Sequence, residues 1–313
     1  MTIATRRGEL ATTQTRLVVD LLKAARPGLE VRVSEVTSAG DADRSTALWN
    51  LRDTGFFTGV LEEALLAGEV DVAVHSFKDL PTGPREGLAV TAICDRRWPE
   101  DCLLATVAVS SVYDLPSSAR VGTSSLRRAA QLRYLRPDLE VIPLRGNVQT
   151  RIRKLHTDEF DAIILARAGL ERLGLTDEVS AIFDPHEFIP APAQGALAVQ
   201  TRSDDEGTVE IVRSIDEEWS RAVSTAERQV LTTMKCGCHA PVGAYATCRN
   251  AKMKVDAFIS DVQGRNMIKR FIEGPASQAA ALGQRVAVEL LEAGGREILE
   301  QLEREKEQGD VRE

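Results

Sequence analysis

The phrase Arg26-Pro27-Gly28-Leu29-Glu30-Val31 returns almost unchanged as Arg136-Pro137-Asp138-Leu139-Glu140-Val141, and the elements around both copies follow one order. Before the first copy, residues 3–6 read as a short strand, and Leu17, Val18, Leu21, Leu22 and Ala25 fall at helical spacing. Before the second, residues 121–124 read as a strand end, and Leu126, Ala129 and Ala130 share a helix face. Pro-Gly and Pro-Asp stop the two helices, and residues 29–33 and 139–142 read as strands. A helix over 61–67 then leads to a buried strand at 69–74; a helix around 151–155 leads to one at 159–164. A β-α-β-α-β pattern repeated in one chain predicts two duplicated, doubly wound α/β lobes, with apolar strands in parallel sheets covered on both faces. Two lobes leave a cleft between them, and in open α/β sheets ligands sit at the carboxyl ends of the strands.

The last third breaks the pattern. Residues 217–234 read as a helix, 236–241 as a loop, and 242–248, 252–260 and 266–273 as strands, with a turn at 261–264. Helices over 277–293 and from 296 to about 305 are separated by Gly294-Gly295. This predicts a small C-terminal α+β domain. Pro190 and Pro192 mark the exit from the second lobe, where the chain crosses back. The expected domains are 1–95 with 196–213, then 100–190, then 217–313.

The net charge of −8, from 39 Lys+Arg against 47 Asp+Glu, argues against a nucleic-acid coat but leaves room for a local basic cleft. No apolar run approaches the ~20 residues that span a bilayer. The first ten residues carry no apolar signal core. A cytoplasmic protein is expected, with neither nucleic acid nor membrane as partner. It is expected to be monomeric, since no heptad or long apolar strip is present. Five cysteines, an odd number, argue against a disulfide framework, and Cys236-Gly237-Cys238 lacks the C-x2-C spacing of a zinc site, so no metal is expected.

Several basic residues fall at strand ends or helix starts. Arg6 ends the first strand; Arg127 and Arg128 occupy the first turn of a helix that Thr123, Ser124 and Ser125 can cap. Arg145 ends a strand, Arg151 opens the next helix, and Arg172 lies beyond the strand that follows. A helix N-terminus already favours anions, and guanidinium groups bind both oxygens of a carboxylate. The pattern predicts a cleft for a ligand carrying several carboxylates or phosphates, the other reading being unrelated surface salt bridges. Lys78-Asp79 closes the phrase His75-Ser76-Phe77-Lys78-Asp79 after a strand. It is either a structural ion pair or, within an arginine-rich cleft, a lone carboxylate able to steady a developing cation or shuttle a proton. Cys238 is either an inert thiol or a thiolate attachment point, with Cys236 as its rival.

Taken together, these residues resemble the porphobilinogen deaminase (hydroxymethylbilane synthase) family. The resemblance rests on IATRRGELATTQ, AVHSFKDLP, VGTSSLRRAAQL, LRGNVQTRIRKL, FDAIILARAGLERLG, PAPAQGAL, TAERQVL and CGCHAPVGA, which occur in the family's order over nearly the whole chain. It implies two lobes like those of type II periplasmic binding proteins, plus the small α+β domain carrying the cofactor cysteine. It implies a covalent dipyrromethane cofactor on a thioether to Cys238. It also implies a transferase of porphyrin (tetrapyrrole) biosynthesis, which condenses four porphobilinogen molecules with loss of ammonia and hydrolyses the product to hydroxymethylbilane. Carried over, Asp79 is the catalytic carboxylate and also touches the cofactor. Lys78, Thr123, Ser124, Ser125, Arg127, Arg128 and Arg151 hold cofactor side chains. Arg6, Arg145, Arg151, Arg172, Ser76 and Gln194 hold substrate and growing chain.

The sequence departs from the family's pattern at Gly8, where Ser is usual, and at Cys236 in the usual Gly-Gly-Cys phrase. Thr54 and Gly59 occupy positions normally Lys, as does Asn50, leaving Arg52 as the cation of that loop. Two competing readings follow: a cytosolic anion-binding protein of the same fold, and a low-activity relative.

Overall fold

The structure, a computed structural model, describes residues 1–36, 58–83, 85–157, 159–237 and 240–310. The loop positions Asn50, Arg52 and Thr54, and the tether candidate Cys238, lie outside the described residues.

The first sheet is built on β1 (Thr2–Arg6), which pairs in parallel with β2 (Arg32–Val36) and β3 (Val72–Ser76). Strand β4 (Leu88–Cys94) completes the sheet, but not by pairing with β3. Between them lies β10 (Leu197–Arg202), antiparallel to both, giving the order β2-β1-β3-β10-β4. The second sheet repeats this plan. Its order is β7-β6-β8-β5-β9, from β5 (Asp101–Ala105), β6 (Arg120–Gly122), β7 (Glu140–Ile142), β8 (Ala162–Ala166) and β9 (Ala181–Ile182). Here β6 is parallel to β7 and β8, while β5 runs antiparallel to β8. The expected wholly parallel sheets are thus mixed. The cause is the route of the chain: β5 and β10 each follow a crossing from the other lobe, entering at the strands' carboxyl ends and running back.

Helices α1 (Glu9–Ala25) and α2 (Gly59–Leu66) lie on opposite faces of the first sheet. Ile3, Val72 and Val74 meet Val18 and Leu22, whereas Ala4 and Ala73 meet Leu61 and Leu65. This period-2 alternation with both faces apolar is what a doubly covered sheet requires. In the second lobe, α3 (Leu126–Leu135) and α4 (Val148–Leu155) do the same, with Leu132 against Ile164 on one side and Ile152 against Ile163 on the other. The helix α5 (Arg167–Leu173) follows β8 directly.

Three strands start later than the apolar runs predict: β2 at Arg32, β3 at Val72 and β8 at Ala162. In β3 the reason is visible. The Glu69 amide is spent on Ala64 O, closing α2, and Asp71 Oδ2 accepts the Thr2 amide at 2.7 Å while the Asp71 amide donates to Thr2 O. The second lobe repeats this device, with Asp161 Oδ2 accepting the Arg120 amide at 2.6 Å and the Asp161 amide donating to Arg120 O. The duplication therefore extends to individual hydrogen bonds.

After α6 (Glu206–Arg213), the long helix α7 (Glu218–Met234) leads into the third sheet: β11 (Val242–Arg249), β12 (Lys252–Ser260) and β13 (Met267–Pro275), all antiparallel. Helices α7 and α8 (Ala279–Leu290) cover one face, packing Val223, Val230, Leu282 and Val286 on Met253, Val255 and Ala257. The predicted helix over 277–293 ends early. A wide turn at Leu291–Gly295, with Gly294 at φ 112°, precedes α9 (Arg296–Asp310). The C-terminal domain closes on the second lobe at Gly264, in the β12–β13 turn: a Cβ there would sit 2.3 Å from Ala130 O of α3.

Candidate active site

The cleft lies where β3, β8 and the crossing at residues 190–196 converge. A cavity of about 110 Å³ is lined by Ser76, Lys78, Arg128, Arg151, Arg172 and Gln194, together with apolar residues of α1 and α5. Six of the predicted residues therefore meet in one place, although they come from both lobes.

Their supports differ. Ser76 ends β3 and is held by Gln14 of α1, whose Nε2 lies 2.9 Å from its Oγ. Lys78 follows in a short 3-10 turn, Phe77–Asp79, and its Nζ donates to Gln194 Oε1 at 3.1 Å. Burial, with Arg128 nearby, pushes Lys78 down to about 8. Asp79 is exposed, yet its charge is felt by Lys78 and Arg151, so it stands beside the cavity's cations. Burial, with Arg128 adding to it, pushes Arg151 down to about 10, and its Nε donates to Gly146 O at 2.7 Å.

The helix start that carries Arg127 and Arg128 is capped by Ser125, whose Oγ accepts the Arg128 amide at 3.4 Å. Thr123 Oγ1 accepts the Ser125 amide, and Ser124 Oγ donates to Leu144 O at 2.7 Å. Both Thr123 and Ser124 are buried. The two arginines, expected to face an anionic ligand together, instead share an internal carboxylate. Arg128 donates to Asp101 Oδ1 from Nε at 3.1 Å and from Nη2 at 2.7 Å, and Arg127 Nη1 lies 2.8 Å from Asp101 Oδ2. Arg127 also donates to Ile189 O at 2.8 Å and does not line the cavity, whereas Arg128 does. Arg172 is likewise engaged: its Nη2 donates to Asp95 Oδ2 at 2.9 Å and to Gly195 O at 2.7 Å. Arg145 and Arg6 do not line the cavity, but Arg145 acts on Arg151, and Arg6 on His75.

Asp101 is the residue that the sequence reading missed. It is wholly buried at the head of β5; burial opposes its ionisation, but Arg127 and Arg128 outweigh this and hold it well below the usual carboxylate range. Its Oδ1 also accepts Gln194 Nε2 at 2.9 Å. A chain of contacts thus runs Lys78–Gln194–Asp101–Arg128 from the first lobe to the second. The available signal was a single acid opening the apolar run Asp101-Cys102-Leu103-Leu104, since a buried charge demands a partner. Gln14 gave a weaker signal, an amide on the apolar side of α1.

Among the thiols, burial pushes Cys94 and Cys102 up to about 12, which leaves them inert. Cys236 is half-buried just past α7. Among the described residues, no cluster of His, Cys, Asp and Glu could hold a metal ion, and no helix is long and apolar enough to cross a membrane.

Fold and cleft define a two-lobed α/β protein with a cation-rich interlobe site and an appended sheet domain. Comparison with known families narrows this. Residues 1–210 match the family model "Porphobilinogen deaminase, dipyromethane cofactor binding domain", and residues 222–292 match "Porphobilinogen deaminase, C-terminal domain". Curated relatives named porphobilinogen deaminase include one from Roseiflexus castenholzii, 44% identical over 96% of this chain and 98% of that protein. Those from Pelotomaculum thermopropionicum and Deinococcus radiodurans are 42% and 40% identical, covering 97% and 96% of this chain and 97% and 98% of theirs. Among solved structures, a TRAP periplasmic solute binding protein from Desulfovibrio salexigens is 11% identical with a TM-score of 0.42, over 70% of this chain and 73% of that one. The chain belongs to the porphobilinogen deaminase family.

Proposed function

We propose that this protein is a hydroxymethylbilane synthase, a transferase of tetrapyrrole biosynthesis that works as a cytoplasmic monomer. It joins four porphobilinogen molecules head to tail. At each addition the aminomethyl C–N bond breaks, a carbon–carbon bond to the preceding pyrrole forms, that pyrrole loses its α-proton, and ammonia departs. Water then releases the linear product. Family membership along nearly the whole chain carries this reading. The domains read as 1–95 with 196–213, 100–190 and 217–313.

The residues present fit a dipyrromethane cofactor. Its acetate and propionate groups need cations, and Lys78 and Arg151 are cations whose pKa values burial has lowered, as expected of a site that awaits anions. Arg145 Nη2 and Arg172 Nε are buried without a hydrogen-bond acceptor. When bound, the cofactor supplies the pyrrole carbon to which the first substrate is joined. Cys238 would hold it through a thioether, and Lys78, Arg128, Arg151 and the Thr123–Ser125 cap would hold its carboxylates. Arg127, whose Nη1 meets Asp101, would join them at the same helix start. Arg6, Arg145, Arg151, Arg172, Ser76 and Gln194 would take the carboxylates of substrate and growing chain. Asp79 would steady the positive charge that develops on the substrate ring as ammonia leaves and accept the displaced proton.

The test is direct. Purified protein should consume porphobilinogen and release ammonia in equal amount, and its intact mass should exceed that of the bare chain by one dipyrromethane. In Cys238→Ser the added mass should vanish. A bare wild-type chain from a haem-making host, with no porphobilinogen consumed, would sink the proposal; an adduct that survives the substitution would move the tether to Cys236.

A further inference from the structure

The turn that carries Lys78 and Asp79 is held from outside its own lobe. Arg228, on α7 of the C-terminal domain, donates from Nη1 to Phe77 O at 3.1 Å and to Leu80 O at 3.0 Å, and from Nη2 to Pro81 O at 2.5 Å. Its guanidinium also lies over the Phe77 ring, 4.3 Å from the centroid. Phe77, Leu80 and Pro81 bracket Lys78 and Asp79 on both sides. The turn's own bonding is slight: Leu80 N donates to Phe77 O at 3.3 Å, and the Phe77 amide donates to Ala196 O. One planar, rigid fork therefore fixes three carbonyls: Phe77 O, which the turn's own bond also uses, and those of Leu80 and Pro81 at its far side. No ammonium could span them in this way.

The same helix sets the neighbouring loop. Met234 ends α7, Lys235 turns out of it at φ 52°, and the Cys236 amide returns to Leu231 O at 3.2 Å. Arg228 is less than two helical turns before that end, about 9 Å along the axis.

We infer that Arg228 is a positioning residue for the reaction: it fixes the Phe77–Pro81 turn so that Asp79 and Lys78 keep their place relative to α7 and the loop that leaves it. The inference rests on the assignment of Asp79 to the chemistry. A misplacement of about 1 Å at a reacting group can cost on the order of a hundredfold in rate, so the effect belongs in kcat rather than in affinity.

The experiment compares wild type with Arg228→Lys, Arg228→Gln and Asp79→Asn, and with Arg133→Lys as a control. Arg133 also joins a lobe to the C-terminal domain, through Val262 O at 2.6 Å, but stands away from the cleft. Arg228→Lys should keep the intact mass of the loaded protein and its thermal midpoint. It should lose about tenfold or more in kcat for porphobilinogen, with KM changed by less than about threefold. Hydrogen exchange should quicken in the peptide spanning 76–83 and stay unchanged elsewhere. Added guanidinium should restore part of the kcat of Arg228→Gln, a response that a general loss of packing would not give. Arg133→Lys should retain wild-type kcat.

A folded Arg228→Lys with wild-type kcat and unchanged exchange at 76–83 overturns the inference. So does an equal loss of kcat in Arg133→Lys, which would make Arg228 one staple among several. If Arg228→Lys does not fold, exchange and guanidinium rescue in Arg228→Gln decide. If Asp79→Asn turns over at the wild-type rate, the assignment of Asp79 fails by itself, and exchange at 76–83 still decides whether Arg228 holds the turn.

Discussion

Lys78 shows how a single side chain can set the pH range of a site. Its pKa, lowered by burial to about 8, lies well below the ordinary value of 10.5. As a cofactor ligand its ammonium would bind a carboxylate and its neutral amine would not, so that hold would be full well below pH 8 and lost as pH rises through it. The rate at which cofactor-free protein gains the dipyrromethane mass from porphobilinogen should fall between about pH 7 and about pH 9.5, with a midpoint near 8. In Lys78→Arg, which stays protonated, the fall should leave that range; a flat wild-type profile would remove Lys78 as a carboxylate ligand. Asp79→Asn should retain the covalent adduct while consumption drops by about 10²–10⁴-fold. The resemblance to a known family pointed to these two residues before any coordinates, and the structure puts Lys78 on the cavity wall with Asp79 beside it. Arg127 was not legible in the same way, because its meaning depends on Asp101, distant in sequence and invisible to periodicity. A helix-start arginine looks the same from sequence whether it faces a ligand or a buried acid.

At the scale of the element, β3 links the core to the cleft. His75 is buried on the opposite face from Val74, and burial holds it down to about 4, with Gln200 partly offsetting this and Arg6 adding to it. It is therefore neutral in the fold. Between pH 6.5 and 4 the unfolded chain binds a proton there that the folded chain refuses, so stability falls as pH falls through that window, by about 3 kcal/mol in full. Urea midpoints at neutral pH and near the lower end should differ less in His75→Gln than in wild type, and equal differences would place the acid sensitivity elsewhere. The existence and order of the elements were readable from the repeated phrases and from apolar spacing. Their starts were not, because Asp71 and Asp161 delay the ladders through bonds to Thr2 and Arg120. Nor was strand direction, since an apolar run reads the same both ways and only the crossings turn β5 and β10 around.

Over the whole molecule, one buried pair ties the two crossings to the C-terminal domain. Glu227 of α7 meets Arg96 of the first crossing, and its carboxylate also accepts the amides of Ala193, in the second crossing, and of Ala246 in β11, at 2.6 and 2.8 Å. Both side chains are fully buried, so removing one strands the other. Arg96→Ala should cost about 3–5 kcal/mol in unfolding free energy, whereas Arg26→Ala, which breaks an exposed pair with Glu210, should cost under about 1 kcal/mol. Comparable losses would mean that the junction is held by other contacts. The topology has a further consequence for how the chain comes into being. Every strand of the second sheet lies within 101–182, while the first cannot close until β10, at 197–202, slots between β3 and β4. As the nascent polypeptide leaves the ribosome, the lobe made second can finish first. The amino-terminal lobe must wait meanwhile with two open edges, inviting wrong partners until the missing strand arrives.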